Sequence, residues 1–481
     1  MTGGGDGAGL GVLDTRFRTV LRRLAAADRL TVVTRRVSTH LELAGLLKAH
    51  DGDRALLFVD VMESPMPVVG NLLASPANVE AALGLDRHGI RAAMDRALAC
   101  PLPPLRVSGL GRDTAPAQAV VTTAPFDLAE LLPVLRHAPG DGGRFVTSGV
   151  VLVRDPETGV HNASYHRMQL LGGNRTAIKL DHGRHLRAAH ERAMARGEDL
   201  PVVVCLGPDA ALLYAAALMG SQMPESADEL AAAGGLAGAP LEVAEAVTSD
   251  LPVPAHAEIV LEGRISPTET APEGPFAEFL GYPSDDGPAP VVTVDAVTHR
   301  SDPIYFAVNG AGRETIMLRK YVLEASALRA LRAAVPIVSD VALTAGGLYR
   351  FHLVVQVAKR SARDDGLQRN AMLAAFGALK DLDQVIVVDD DIDVHDPVDV
   401  EWAVATRMEA SRDLLVVPGA RGHEYVRVSD HGVRAKLGID ATVAHAERAR
   451  FARAPFLEAT LTPSDTTPAS TYAPLAGLLT D

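Results

Sequence analysis

The sequence predicts an α/β protein of several domains, on three observations. Both ends of the chain alternate short apolar runs with helical periodicity, the pattern of α/β units. The middle third is dominated by strand-like runs bounded by turn residues. At about 150 residues per domain, 481 residues divide into two or three cores. The suggested partition is an N-terminal α/β domain over 1–125, a β-rich central domain over 126–320 and a C-terminal α/β domain over 321–481.

Taken in order, residues 12 to 27 read as a helix and "RLTVVTRRV" as a strand. "HLELAGLLKAH" returns to helix, and "RALLFVDV" is a buried strand. "SPANVEAALGL" opens with Ser-Pro, a helix start signal, and a second helix follows around "RAAMDRALACPL". "SGVVLVRDPETGVHNASYHRMQLL" is two strand-like runs around a DPETG turn, a hairpin signature. "PVVVCLG", "AEIVLEGRI", "PVVTVDAV" and "PIYFAVNG" add strands, with a helix near "PDAALLYAAALMG"; a barrel is one closure such strands allow. The last third gives helices at "SALRALRAAV" and "NAMLAAFGAL" and strands at "FHLVVQVAK" and "QVIVVD". The Pro- and Thr-rich tail from Ala459 reads as a linker or an arm onto a neighbouring subunit. No repeat of 20 to 50 residues is present.

A net charge of −14 without a basic run argues against nucleic acid and anionic membranes as partners. Aromatics are scarce, with Trp402 the single tryptophan, so the core rests on Ala, Val and Leu. Cys100 and Cys205 lie far apart in apolar surroundings and make no disulfide framework, which fits a reducing cytoplasm. The start has no apolar segment of signal-peptide type, and no run approaches the ~18 apolar residues of a membrane span.

Common catalytic signatures are absent: no phosphate-binding G-x-x-x-x-G-K-[ST], no G-x-S-x-G, no H-E-x-x-H. The early "GGGDGAG" follows no strand and reads as a leader. "DDDID", 389 to 393, reads as turn-capping acids. His182, His185 and His190 cluster in "DHGRHLRAAHE", Glu229 opens a small-residue helix where the dipole favours a carboxylate, and Asn162 follows the DPETG turn. Singly, each has an ordinary structural reason to be there. As one set, an Asn oxygen, a His nitrogen and a Glu carboxylate suit Mg²⁺ or Mn²⁺, and such an ion would hold a phosphate. Arg167, five residues after Asn162, can grip a carboxylate bidentately. On an ideal strand the two point to opposite faces, so one site needs a bend between them.

"PEGPFAEF", 272 to 279, sets Glu273 and Glu278 in a frame of two prolines, a glycine and two phenylalanines. Pro272 and Pro275 lack backbone donors, so a hydrogen-bond ladder is not expected to run through. The segment is either a turn whose glutamates face water or a rigid, partly apolar mount for both.

"NASYHRMQ", "GRH", "DELAAAGGL", "AEIVLEGRISPTETAPEGPFAEFLGY", "VIVVDDDIDVHDPVDVEWAVATR" and "KLGIDAT" occur in this order. Together they closely resemble the UbiD family of reversible, non-oxidative decarboxylases, which use prenylated FMN. The resemblance runs from "RALLFVDVMESPMPVVGNLL" to "KLGIDAT", nearly the whole chain.

The resemblance implies a central split β-barrel of flavin-reductase type, a C-terminal domain that helps form a homodimer or larger homo-oligomer, and a flavin prenyltransferase as cofactor supplier. It puts the metal ligands on Asn162, His185 and Glu229, which would hold Mn²⁺ (or Mg²⁺) against the cofactor phosphate beside K⁺ (or Na⁺). Arg184, Ser221 and Met223 fall on cofactor-lining positions, with Lys380 a candidate for a basic cofactor contact. The catalytic set falls on Arg167, Glu273 and Glu278, making "PEGPFAEF" the mount of an acid–base pair. The implied substrate is an α,β-unsaturated carboxylic acid: acrylic, dienoic or aromatic. Losing CO₂ from an sp² carbon leaves an anion with nowhere to delocalise, so a cofactor bonded to the substrate supplies the electron sink. A general acid must then protonate that carbon, which needs a carboxyl pKa raised by burial and neighbouring charge. Glu278 is assigned that role, with Glu273 and Arg167 orienting it and the substrate. Three positions depart from the family pattern: His166 where many members carry Tyr, and Ala163 and Ala277 beside functional positions. Two other classes share the barrel, a flavin-binding protein without turnover and an FMN reductase; neither requires the paired glutamates.

Overall fold

The computed structural model describes residues 11–108, 114–181, 184–218, 226–455 and 463–471. Its strands fall into four sheets. The first contains Leu30–Val33, Ala55–Phe58 and Val68–Gly70, and is completed by Tyr305–Phe306 from much later in the chain. Helices Phe17–Ala26, Glu42–Ala49, Pro76–Leu83 and Arg87–Ala99 accompany it. Ser75 caps Pro76–Leu83 by accepting from the Asn78 amide, as the Ser-Pro signal implies.

The second sheet has nine strands and curls into a half-barrel. Its spine is the antiparallel pair Ile259–Glu273 and Gly287–His299, whose register slips at Glu262/Gly263 and between Ile265 and Thr270. Such slips bend a strand and raise its twist, which is how a long ribbon closes on itself. Leu200–Leu206 and the hairpin Val150–Arg154/His161–Tyr165 extend one side; Arg175–Ile178 and Met168–Gly172 extend the other. A short three-stranded sheet holds Leu105–Arg106, Glu242–Glu245 and Pro252–Pro254. The last sheet orders Val338–Leu343, His352–Val357, Gln384–Asp389, Val433–Ala441 and Leu414–Arg421, with its central pairs parallel.

Two readings of the sequence are corrected. The strand in "AEIVLEGRI" continues to Glu273, and the ladder does pass Pro272, which pairs with Pro288 opposite. Both prolines sit where no partner needs their missing donor, so pairing survives. The helix in "SALRALRAAV" is the end of Arg313–Ala334, twenty-two residues long. It buries Glu314, Lys320 and Glu324, which breaks the amphipathic pattern of a surface helix. Lys320 pairs with Glu324 at 2.5 Å, one Glu324 oxygen accepts from the Leu343 amide, and one Glu314 oxygen from that of Leu73. One apolar cluster runs from Phe17 and Leu24 through Tyr214 and Met317 to Val355 and Val387, tying all three parts of the chain together. The residues 389–393 are structural: Arg407 spans Asp389 and Asp391.

Candidate active site

The bend that Asn162 and Arg167 require is present. The strand His161–Tyr165 pairs with Val150–Arg154, the chain leaves that pairing at His166 and Arg167, and Met168–Gly172 resumes against other strands. His166 anchors the break: its Nδ1 meets the Lys179 carbonyl at 2.7 Å and its Nε2 the Ser164 hydroxyl at 3.1 Å. Burial pushes the imidazole pKa down despite the Lys179 contact, so the ring is neutral. Ser164 Oγ in turn lies 3.0 Å from Asn162 Oδ1, fixing which way that amide faces.

Asn162, His185 and Glu229 line one cleft, with Ser164, Arg184 and Arg319. His185 begins the helix His185–Arg196, and Glu229 begins Glu229–Ala237. Glu229 is buried; it accepts from Asn162 Nδ2 at 3.1 Å and the Ala163 amide at 3.0 Å. Among the described residues it has no cationic partner, and burial pushes its carboxyl up to about 8. A buried carboxyl without a counter-charge, in one cleft with a His and an Asn, is a donor set that fits a hard divalent cation. No group of three or more His, Cys, Asp or Glu side chains among the described residues makes an alternative metal site. His190 is not part of the set: its Nε2 meets the Ser266 carbonyl at 2.9 Å. His182, Ser221 and Met223, and most of the tail, lie outside the described residues.

Arg167, Glu273 and Glu278 meet in one network. Arg167 Nε and Nη2 donate to the two Glu273 oxygens at 2.6 and 3.0 Å, Nη2 also reaches Ser284 Oγ at 3.1 Å, and Nη1 donates to Glu278. Glu273 ends the long strand and is 1 % exposed; Glu278 is half-buried on the loop beyond it. Burial raises the Glu278 pKa, with Asp181 and Glu273 adding to the rise and Arg167 opposing it.

The mount is packed rather than solvated. Phe276 is buried, with the Arg167 guanidinium carbon 5.0 Å from its ring and Phe145 4.7 Å away on centroids. The Gly142 amide donates to the Pro275 carbonyl at 2.8 Å, and a Cβ at Gly142 would sit 2.1 Å from the Gly274 oxygen. Phe279 stacks on Phe351 at 6.5 Å with His423 edge-on at 5.6 Å. Of the two phenylalanines, then, one supports Arg167 and the other faces the C-terminal part of the chain.

Several residues at this site carried no sequence signal. Asp181 lines the cleft and accepts from the Tyr425 hydroxyl at 2.5 Å. Burial pushes its carboxyl up, but the Tyr425 hydroxyl and the charges of Arg184 and Lys179 hold it below its ordinary value. Arg319, Arg350, His423 and Tyr425 come from "MLRKY", "LYRF" and "GHEY", which match no motif; only the fold gathers them. Lys380 is exposed, its carbonyl accepting from Lys436 Nζ at 2.6 Å, and it does not line the cleft.

Three family models match successive stretches, all of 3-octaprenyl-4-hydroxybenzoate carboxy-lyase: the UbiD N-terminal domain over 21–97, the Rift-related domain over 109–313 and the C-terminal domain over 316–441. Anhydromevalonate phosphate decarboxylase of Methanothermobacter thermautotrophicus is 36% identical over 88% of this chain and 96% of its own length. Gallate decarboxylase of Lactiplantibacillus plantarum is 31% identical over 84% of this chain and 87% of its own. The UbiD-class enzyme HmfF from Pelotomaculum thermopropionicum, in complex with FMN, superposes with a TM-score of 0.86 at 36% identity, covering 92% of this chain and 97% of that one. Its evolved dimeric form in complex with prFMN superposes at 0.83 and 33%, covering 95% of this chain and 100% of that one.

Proposed function

The chain belongs to the UbiD family of carboxy-lyases, and from that footing we propose that it decarboxylates an α,β-unsaturated acid with prenylated FMN, using Glu278 as proton donor. The observation that carries the reading is the Arg167 guanidinium shared between Glu273 and Glu278 on a packed mount. Asn162, His185 and Glu229 would hold Mn²⁺ or Mg²⁺ against the cofactor phosphate, with Ser221 and Met223 beside a monovalent cation and Arg184 as a further cofactor contact, while the exposed Lys380 is left out of the set. The prenylated flavin, when bound, supplies the electron sink that an sp² carbon lacks.

The chain's own residues handle the substrate and the proton. Glu273 holds Nε and Nη2 of Arg167, which leaves Nη1 as the donor a substrate carboxylate can claim. When it does, Glu278 loses its counter-charge while burial, Asp181 and Glu273 still disfavour its anion, so it takes up a proton. The bond between the α-carbon and the carboxylate then breaks, CO₂ leaves, and the Glu278 proton goes to that carbon. Glu278 is left ionised, and water restores its proton. Run backwards, the same steps carboxylate.

We read the nine-stranded sheet as the split barrel of flavin-reductase type, the protein as a cytoplasmic homodimer or larger homo-oligomer, and a flavin prenyltransferase as its supplier. The test is CO₂ release by protein co-expressed with a flavin prenyltransferase, across acrylic, dienoic and aromatic acids. Turnover of one class by the loaded protein alone supports the reading; a loaded protein inert on all of them overturns it.

A further inference from the structure

Glu278 opens a short turn that is closed mainly on itself. Its amide donates to the Tyr282 carbonyl at 3.0 Å, and its carbonyl accepts from the Gly281 amide at 2.9 Å. Gly281 has a φ of 82°, which a residue with a Cβ rarely adopts. At the base of the turn Ala277 and Pro283 form an isolated bridge, and the Ser284 amide donates to the Phe276 carbonyl at 2.8 Å. Among the described residues no hydrogen bond ties the tip, Phe279 and Leu280, to the rest of the fold.

The tip is held by side chains from the C-terminal part of the chain. Phe279 packs, half-buried, on the main apolar cluster. Its ring lies 16° from parallel to that of Phe351, and His423 stands edge-on to both, at 5.6 and 6.0 Å. The Arg350 guanidinium carbon is 5.4 Å from the Phe279 ring, with Asp381 accepting from Nε and Nη2 at 2.8 and 2.5 Å. Arg350, Phe351 and His423 are all buried, so the core fixes where they stand. Arg350 and Phe351 lead directly into the strand His352–Val357, and His423 follows the strand Leu414–Arg421. A second hold lies at the far end of the same turn. Arg427 donates to the Pro283 carbonyl at 3.0 Å, with its guanidinium carbon 4.7 Å from the Tyr282 ring. Both of those side chains are exposed, which makes this hold the weaker one.

Resting on the decarboxylase reading, we infer that Phe279 is the positioning residue of the proton donor: wedged against Phe351, His423 and Arg350, its ring sets the turn from which Glu278 delivers its proton. The acid mounted on the barrel sheet is thereby aimed from the C-terminal sheet. A proton donor works only within hydrogen-bond reach of the atom it protonates, and a group on a turn stays there through the packing of its neighbours. Without the ring the tip is free, and Arg167 alone holds Glu278. When the substrate carboxylate claims Arg167, that last hold is gone, and the carboxyl swings toward water at the moment it is needed.

Phe279→Ala and His423→Leu test the contact from its two sides, in protein co-expressed with a flavin prenyltransferase. Phe279→Ala is expected to lower kcat about 100-fold, and His423→Leu by less, with KM and flavin content unchanged. The double variant should be no slower than Phe279→Ala alone, because His423 acts through the ring. The alkaline limb of kcat should move to lower pH in Phe279→Ala, since a displaced Glu278 loses part of the burial that raises its pKa. A merely structural loss would leave that limb in place. Crystal structures of the parent and Phe279→Ala are expected to differ in the position of the Glu278 carboxyl. The inference is overturned by a kcat within about threefold of the parent's, by an unmoved limb, or by an unmoved Glu278. A loss confined to KM overturns it too, by making Phe279 a substrate contact. The crystal structures need no turnover: a displaced Glu278 in a protein that decarboxylates no acid sustains the positioning role and overturns only the decarboxylase reading.

Discussion

Arg167 holds both oxygens of Glu273, at 2.6 and 3.0 Å, with 9 % and 1 % of the two side chains exposed. A pair this withdrawn from water is costly to break from one side. Arg167→Met leaves Glu273 buried and unpaired, and is expected to lower unfolding free energy by about 3–5 kcal/mol. Adding Glu273→Gln should recover part of that loss. Urea denaturation of the two variants measures both; a single-variant loss below about 1 kcal/mol would show that water reaches Glu273.

The pH dependence of turnover follows from Glu278. Its folded pKa is raised, chiefly by burial, so it holds a proton to higher pH than an ordinary glutamate. A proton donor works only while protonated, so kcat is expected to be flat on the acid side and to fall tenfold per pH unit above that raised value. The stability sign agrees: a raised carboxyl pKa contributes fully below the unfolded value and is lost as pH climbs through the folded one. A rate that rises with pH across this limb would assign Glu278 as a base.

Glu229 links metal to pH. Its carboxyl is pushed up to about 8 without a cation, and a metal takes only the ionised form. Divalent-ion affinity of the metal-free protein is therefore expected to rise about tenfold per pH unit from roughly pH 5 to 8, then level off. Metal-free thermal stability should fall over the same window, because the folded state there binds a proton that the unfolded state has released. Mn²⁺ titrations at four pH values, with Glu229→Gln alongside, would contradict this by showing a flat profile in the parent.

Gly310 controls the mount from outside it. A Cβ there would meet the Phe276 ring at 2.2 Å and the Ala277 carbonyl at 2.4 Å, the two residues just before Glu278. Gly310→Ala is expected to shift that segment and cut kcat/KM about 100-fold, the usual scale for a displacement near 1 Å. Metal and flavin binding should persist, since neither Phe276 nor Ala277 lines the metal cleft. Activity retained within threefold would mean that the mount is softer than its packing implies.

What the sequence disclosed depended on locality. The hairpin around Asp155, the Ser75 cap and the buried strand Gln384–Asp389 are written in spacing and turn chemistry, which act over a few residues. Glu273 and Glu278 stand in one short segment with their prolines and phenylalanines, so their pairing could be suspected at once. Their partnership with Arg167, a hundred residues away, came only from the family resemblance. Asp181, Arg319, Arg350 and Tyr425 were invisible because each is an ordinary polar residue in its own stretch and acquires a role only when the fold brings the stretches together. The start of Arg313–Ala334 failed for a related reason: its buried glutamates accept from backbone amides remote in sequence, at Leu73 and Leu343. Proline misled in the opposite direction, since an unneeded donor costs a strand nothing at Pro272.

The most direct test of the central claim is Glu278→Gln, compared with the parent after both are co-expressed with a flavin prenyltransferase. Glutamine keeps the shape of the side chain and removes the carboxyl proton. Both proteins are expected to carry equal amounts of prenylated FMN, with CO₂ release in the variant lower by about 10²–10⁴-fold. Equal cofactor and equal CO₂ release would contradict the account and move the proton donor elsewhere.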